Sequence, residues 1–480
     1  MNRDLTPKEF EVYGTRLIKD LADFFAGIEQ LRVLPDCSPG DFTSLVDLKL
    51  PIEGDSLENI LEDTFNKVIP YTTHWNHPGF MAYFNSTASF PGIFAELVTA
   101  SLSVNGMLWK SSPAASELEK ITLDWLTELL GLPRIFFGII YDTASTSTFH
   151  ALAAAREKLG VYDFRNEGIG GEGCPRLSVY MSEHAHSSVD KAAIIIGAGT
   201  KGIRKIKSNA KYEMIPEKLE AAISADKALG ITPLAVIATI GTTSTTSVDP
   251  LLQIAEICRR ENIWLHVDAA HSGVTAMLPE KKSIFEGIEF ADSLVVNPHK
   301  WLFVPMDLSV LFVRDKDNLK KTFSLIPEYL KTGTDSVTDN LMDYGIPLGR
   351  RFRSLKLWFV IRYFGKAGLS EILRKHIGMA GEFVRLIESA NNFEVMAPVP
   401  FSTVCFRYVK SGRDDSTLNM LNQKLLELIN SSGRIFLSHT VLNGKFVIRI
   451  VFSGIKMEIQ HVNTAFNIIT EQVKKLEDNK

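Results

Sequence analysis

The chain holds only four cysteines in 480 residues, and no two of Cys37, Cys174, Cys258 and Cys405 form a Cys-x-x-Cys pair. That spacing argues against a disulfide framework or a cysteine zinc site and predicts free thiols in a reducing compartment, the cytoplasm. No run of about 18 apolar residues occurs, so no membrane-spanning helix is expected. The opening Met1-Asn2-Arg3-Asp4-Leu5-Thr6-Pro7-Lys8 lacks the apolar core of a signal peptide. Basic residues are not in excess: the net charge is −4 and no polybasic run is present, which argues against nucleic-acid or membrane-surface partners. Repeats and low-complexity tracts are also missing. What remains is an ordinary globular composition, 45% hydrophobic and 22% charged, in a chain too long for one small core.

Through the middle of the chain apolar strands alternate with helices. Strands are predicted at 134–140, 176–182, 233–240, 263–268 and 290–296. This alternation predicts an α/β domain around a mostly parallel sheet covered on both faces. Ahead of it, Phe10, Tyr13, Leu17, Leu21 and Phe24 mark an amphipathic helix with little around it to form a core. Residues 1–89 are therefore assigned to a helical arm suited to wrapping a second copy, and 90–357 to the large domain. Between 358 and 480, strand candidates near Phe393, Thr403, Ile435 and Val447 alternate with helices as a smaller α+β domain. Gly168 to Gly173 spells G-x-G-x-x-G, but it neither ends a strand nor opens a helix, and we read it as a loop. Lys331 to Asn340, polar with few apolar anchors, reads as a mobile lid.

The chemistry-bearing residues follow the ends of these strands. Lys300 comes after Ser293-Leu-Val-Val296 and the stiff turn Asn297-Pro298-His299. Apolar surroundings disfavour a charged lysine and free its amine for imine formation. The bland alternative is a surface lysine that happens to follow a strand. Asp268 ends another apolar strand, where a carboxylate is seldom buried unless it is paired. Thr143, Ser145, Thr146, Ser147 and Thr148 stand between a strand and a helix expected over 149–159. A single cap needs one hydroxyl, so this run reads as an anion seat at a helix start. His184 and His186 form only a lone His-x-His, which is weak support for a metal. Lysine, carboxylate, hydroxyl seat and imidazole together fit pyridoxal 5'-phosphate, with Lys300 forming the imine and Asp268 keeping the pyridine nitrogen protonated.

Asn297-Pro-His-Lys-Trp301, His266-Val-Asp-Ala-Ala270, Ala185-His-Ser-Ser188 and Gly349-Arg-Arg-Phe-Arg-Ser-Leu-Lys356 resemble the group II pyridoxal-phosphate decarboxylases, aromatic L-amino acid decarboxylases in particular. The likeness runs over nearly the whole chain. It implies the fold type I architecture, a homodimer with a shared active site, and loss of a substrate α-carboxylate as CO₂. By position it makes Lys300 the imine lysine, Asp268 the pyridinium partner and His186 the stacking imidazole. It places Thr243, Ala144, Ser145, Asn297, His299 and Ala270 around the cofactor. Tyr83, Phe84 and Ser86 become substrate-pocket positions, with Met107 and Trp109 in a wall lent by the other subunit.

The match breaks at the loop. In the family, a tyrosine five residues ahead of an Ile/Leu-x-Leu triplet is tied to protonation of Cα. Counting back from Ile346 reaches Leu341, or Asn340 with a one-residue shift, neither able to serve as that acid; Tyr344, displaced by three or four positions, and His186 are the alternative proton donors. Relatives without that tyrosine can form an aldehyde with O₂ instead of an amine. An aminotransferase would use the same lysine and aspartate but needs an arginine for the carboxylate, for which Arg449 is the candidate. Met107 stands where phenylalanine is frequent, Asn105 adds a polar group, and Thr143-Ala-Ser-Thr146 lacks the usual glutamate after the serine. These differences leave the preferred amino acid open.

Overall fold

The computed structural model describes residues 3–325 and 338–478, so most of the expected lid lies outside the described residues. Seven strands build the central sheet: β1 (Phe137–Tyr141), β2 (Leu177–Ser182), β3 (Ile203–Ile206), β4 (Thr232–Thr239), β5 (Trp264–Asp268), β6 (Ser293–Val296) and β7 (Ser309–Val313). Their order is β1-β7-β6-β5-β4-β2-β3. From β3 to β6 all neighbours are parallel, while β7 runs antiparallel to both β6 and β1. This is the fold type I α/β architecture. The strand pattern in the sequence misses β3, whose Arg204 and Lys205 mark a polar edge, and β7, whose apolar run has no strand periodicity.

Helices cover both faces, as a buried parallel sheet requires. On one face, Leu126 of helix Pro113–Leu130, Ile254 of helix Leu251–Glu261 and Trp301 share a core. On the other, Ala151, Ala154 and Ala155 of helix Ala144–Leu159 pack with Val189 and Leu319. That alanine-rich helix begins at Ala144, five residues before the expected Phe149, so most of the hydroxyl run lies inside its first turns. Ser147 and Thr148 are buried, and Ser147 Oγ bonds Ser309 Oγ of β7 at 2.8 Å. Those two hydroxyls serve close helix–sheet packing, which leaves Thr143 to Thr146 at the less buried start of the helix.

Four antiparallel strands form the smaller sheet: β8 (Phe393–Val395), β9 (Thr403–Tyr408), β10 (Ser438–Leu442) and β11 (Lys445–Val451), in the order β10-β11-β9-β8. β10 starts three residues after the expected Ile435. Asn443 and Gly444, both at positive φ, make its two-residue hairpin turn to β11. The expected boundary at 357/358 falls inside one long helix, Ser354–Ser389, bent at Gly365 (φ 62°). Leu357, Val360, Leu369 and Leu373 join the large core, whereas Met379, Ala380, Phe383 and Ile387 join the small one.

The arm opens with helix Pro7–Gly27. Thr6 Oγ accepts from Glu9 N (3.3 Å) and Glu9 Oε2 accepts from Thr6 N (2.8 Å), a complete capping box. No residue of that helix is buried. No described helix is long and apolar enough to cross a membrane.

Candidate active site

A cavity of about 200 Å³ opens at the carboxyl ends of β4, β5 and β6, the edge where open α/β sheets bind ligands. Lys300 enters it from the short helix Pro298–Trp301, and Asp268 from the last position of β5. Burial pulls the Lys300 amine below its ordinary pKa, while the Asp268 carboxylate pulls it partly back. The Lys300 Nζ stands 5.5 Å from the centre of the Phe84 ring. His186 caps helix Ser187–Ile195 by accepting from Ser188 N through Nδ1 (3.1 Å), so the proton of the neutral ring resides on Nε2. Burial lowers the His186 pKa as well.

Thr143, Ala144 and Ser145 close the opposite end of the cavity. No side chain caps helix Ala144–Leu159. Its leading N–H groups and positive dipole end are therefore available to an anion. Thr243, Ala270, Asn297 and His299 also line the space. Asn297 Oδ1 and Thr239 Oγ1 are buried without partners. His299 Nδ1 accepts from Leu308 N (2.9 Å), and burial beside Lys300 drops its pKa to about 4. An amine, a carboxylate, an uncapped helix start and unpartnered polar atoms in one cavity suit pyridoxal phosphate.

The pyridoxal-dependent decarboxylase conserved domain matches residues 39–409. The chain belongs to that family. It is a pyridoxal-phosphate-dependent carboxy-lyase. "Tyrosine decarboxylase 3" of Petroselinum crispum is 40% identical over 99% of this chain and 94% of its own length. "Phenylacetaldehyde synthase" of Arabidopsis thaliana is 37% identical over 99% of this chain and 98% of its own. Among solved structures, Oryza sativa TDC with PLP and tryptamine superposes with a TM-score of 0.95 at 32% identity, covering 99% of this chain and 100% of that one.

Tyr344, Tyr83 and Ser86, also expected in the site of this decarboxylase, lie outside this cavity. Tyr344 does not line the cavity. Its ring packs on Phe137 (centroids 4.8 Å apart), its hydroxyl donates to Asp339 Oδ1 (2.6 Å), and its carbonyl accepts from Tyr141 Oη. Burial and the neighbouring carboxylates push its pKa above the ordinary phenol value. That placement removes Tyr344 as the Cα acid in this arrangement. Tyr83 is half exposed and lies along Trp75, and Ser86 is half-buried outside the cavity lining. Met107 and Trp109 are stitched to the end of the expected lid and the stretch after it: Met342 N donates to Met107 O (3.2 Å) and Trp109 N to Asn340 Oδ1 (3.3 Å). Neither lines its own chain's cavity.

Arg449 stays outside the cavity lining too, with Nε donating to Ser244 O (2.6 Å) and Nη1 to Ser438 Oγ (2.9 Å). In contrast, Ser188, Thr239, Gly241 and His271 line the cavity and are missed by the sequence argument. Gly241 had a legible signal, a glycine between a strand and a threonine run. A side chain at its position (φ 89°) would run into Ser272.

Proposed function

We propose that this enzyme decarboxylates an aromatic L-amino acid to its amine and CO₂. The carrying observation is the cavity that gathers Lys300, Asp268, His186 and the uncapped helix start at Ala144. Pyridoxal phosphate, when bound, supplies an aldehyde for the substrate amine and a ring that takes up the electron pair of the broken Cα–carboxylate bond. Ala144 and Ser145 would hold its phosphate through backbone N–H groups. Asp268 would keep a proton on the ring nitrogen, and His186 would cover one ring face. Lys300, released when substrate binds, is the group in the cavity suited to carry a proton to Cα. Phe84 offers an apolar wall that favours loss of a charged carboxylate over its retention.

A second reading, an O₂-using aldehyde synthase, draws on Leu341 and Asn340 at the tyrosine position and on Tyr344 turned into the core. The Arabidopsis thaliana relative carries that activity in its name. Incubation with tyrosine, dopa, tryptophan and phenylalanine separates the two. CO₂ with amine supports the first, whereas CO₂ with aldehyde, peroxide and O₂ uptake supports the second. Keto acid without CO₂ defeats both.

The working unit we propose is a homodimer in the cytoplasm, a compartment that suits four unpaired thiols. Phe10, Val12 and Ile18 of the arm are exposed, as are Phe90, Phe94, Leu97 and Leu102 of helix Phe90–Leu102. So much adjacent apolar surface suits burial against a second copy. Light scattering should report twice 53.5 kDa, and a monomeric mass refutes the dimer.

A further inference from the structure

Three rings stand in a column behind Lys300, and a fourth extends it edge-on. Phe84 stacks on His271 (centroids 3.9 Å, interplanar angle 17°) and His271 on Trp301 (4.7 Å, 16°), while His376 lies nearly coplanar with Trp301 beyond its edge (6.4 Å, 15°). The Trp301 Nε1 donates to His376 Nδ1 (3.0 Å), which leaves His376 Nε2 to donate to Gly454 O (3.1 Å). At the other end, Asn85 next to Phe84 hydrogen-bonds Ser453. Both ends of the column are thus moored to one dipeptide of the small domain, Ser453-Gly454. The column touches the site twice. Trp301 is the residue after Lys300, and Phe84 carries the Lys300 Nζ and the Arg449 guanidinium each 5.5 Å from its ring centre.

His271 is the centre of this circuit. It is 2% exposed, its Nδ1 reaches Ser272 Oγ at 3.3 Å, and its Nε2 has no partner. The ring is held chiefly by its two faces. Burial beside Lys300 and Arg449 keeps it neutral, so it adds no third positive charge to the cluster.

We infer that His271 is a positioning residue for Lys300, fixing Phe84 and Trp301 as one stacked unit referenced to Ser453-Gly454. The inference rests on Lys300 being the cofactor lysine. Phe84 in place keeps water from the lysine. Loss of the stack lets Phe84 tilt, relieves the desolvation of Lys300 and loosens its aim. Besides His271 itself, which burial keeps neutral, the titratable groups that face Lys300 are Asp268 from β5, His186 from the start of helix Ser187–Ile195 and His299 from its own turn, with Arg449 of β11 over the same Phe84 ring.

The test uses holoenzyme variants and two readouts, the pH midpoint of the visible cofactor band and the split of kcat from KM. His271→Leu should raise the midpoint by about one pH unit and lower kcat about tenfold with KM little changed. His271→Phe, which keeps both faces and drops both nitrogens, should stay within about twofold of the unaltered enzyme. His376→Leu removes the hydrogen bond that moors Trp301 without touching the cavity, and should move the midpoint in the same direction. That variant decides the matter if His271→Leu fails to fold. A His271→Leu enzyme with unaltered midpoint and kcat overturns the inference, as does a His271→Phe enzyme as impaired as the leucine variant. If the unaltered protein shows no visible band, the lysine assignment itself falls instead.

Discussion

Asp249 makes stability depend on pH in a direction opposite to most carboxylates. It sits 1% exposed at the foot of the 241–248 turn that carries Thr243. Its two oxygens accept from Met214 N and Thr239 N, both at 2.8 Å, and its own N–H donates to Thr239 O at 2.9 Å. The two N–H bonds favour the ionised form, but burial outweighs them and pushes the pKa up to about 7. The unfolded chain releases this proton near pH 3.9. Between those values the fold binds a proton that the open chain has lost, so stability falls as pH rises from about 4 to about 7 and is level above that. Three pH units correspond to about 4 kcal/mol, of which the interval from pH 5 to 7 accounts for about 2.7 kcal/mol. Asp249→Asn cannot ionise and should lack this slope. The measurement is urea unfolding of both proteins at several values from pH 5 to 8. The stability difference, wild type minus variant, should decline by about 1.4 kcal/mol per unit up to pH 7. A difference that does not change with pH refutes the reasoning, because no proton would then be linked to this carboxyl.

Other outcomes follow from geometry already described or close to it. Asp268→Asn should retain the visible cofactor band yet lose about 10²–10³ in kcat, since a neutral amide holds the ring proton less well; a loss under threefold contradicts its role. Arg350 and Glu119 form a buried bidentate pair (2.7 and 3.2 Å) that also engages Ile140 N and O. Glu119→Gln strands a buried cation and should cost about 3–5 kcal/mol, while Glu119→Gln with Arg350→Met should cost less than the single change. Unfolding midpoints of the three proteins decide this, and a double variant weaker than the single one rejects it. Gly241→Ala forces a side chain into Ser272 at positive φ and should lose more than about 1 kcal/mol; a stability equal to wild type would show that the turn yields freely.

Where the sequence and the structure agree, the agreement has a local cause. Lys300 and Asp268 each follow a run of apolar residues, and the end of a buried parallel strand is a place that pattern can locate. The helix that carries the hydroxyl run begins at Ala144, earlier than its sequence suggests. Serines and threonines favour caps and turns in isolation, and only contact with β7 shows Ser147 and Thr148 to be interior helix residues. Met107 and Trp109 rest on likeness to the family, and Tyr344 on counting along a motif. The structure sends Tyr344 into the core because a phenol finds there both an aromatic neighbour and a carboxylate, which the count cannot register. His271 escaped notice because its importance lies in two ring faces, supplied by Phe84 and Trp301 from distant parts of the chain.

The antiparallel strand β7 has a consequence for the order in which the molecule is made. Among the described residues, β1 pairs with no strand but β7, so it must wait for a partner synthesised long after it. The helix start at Ala144 hangs directly from β1, and Lys300 lies between β6 and β7. A nascent chain that has not yet delivered Val313 can dock neither half of the cavity against the other. Cofactor capture is therefore a late event in biosynthesis, and half-made chains on the ribosome present no finished site to sequester the aldehyde.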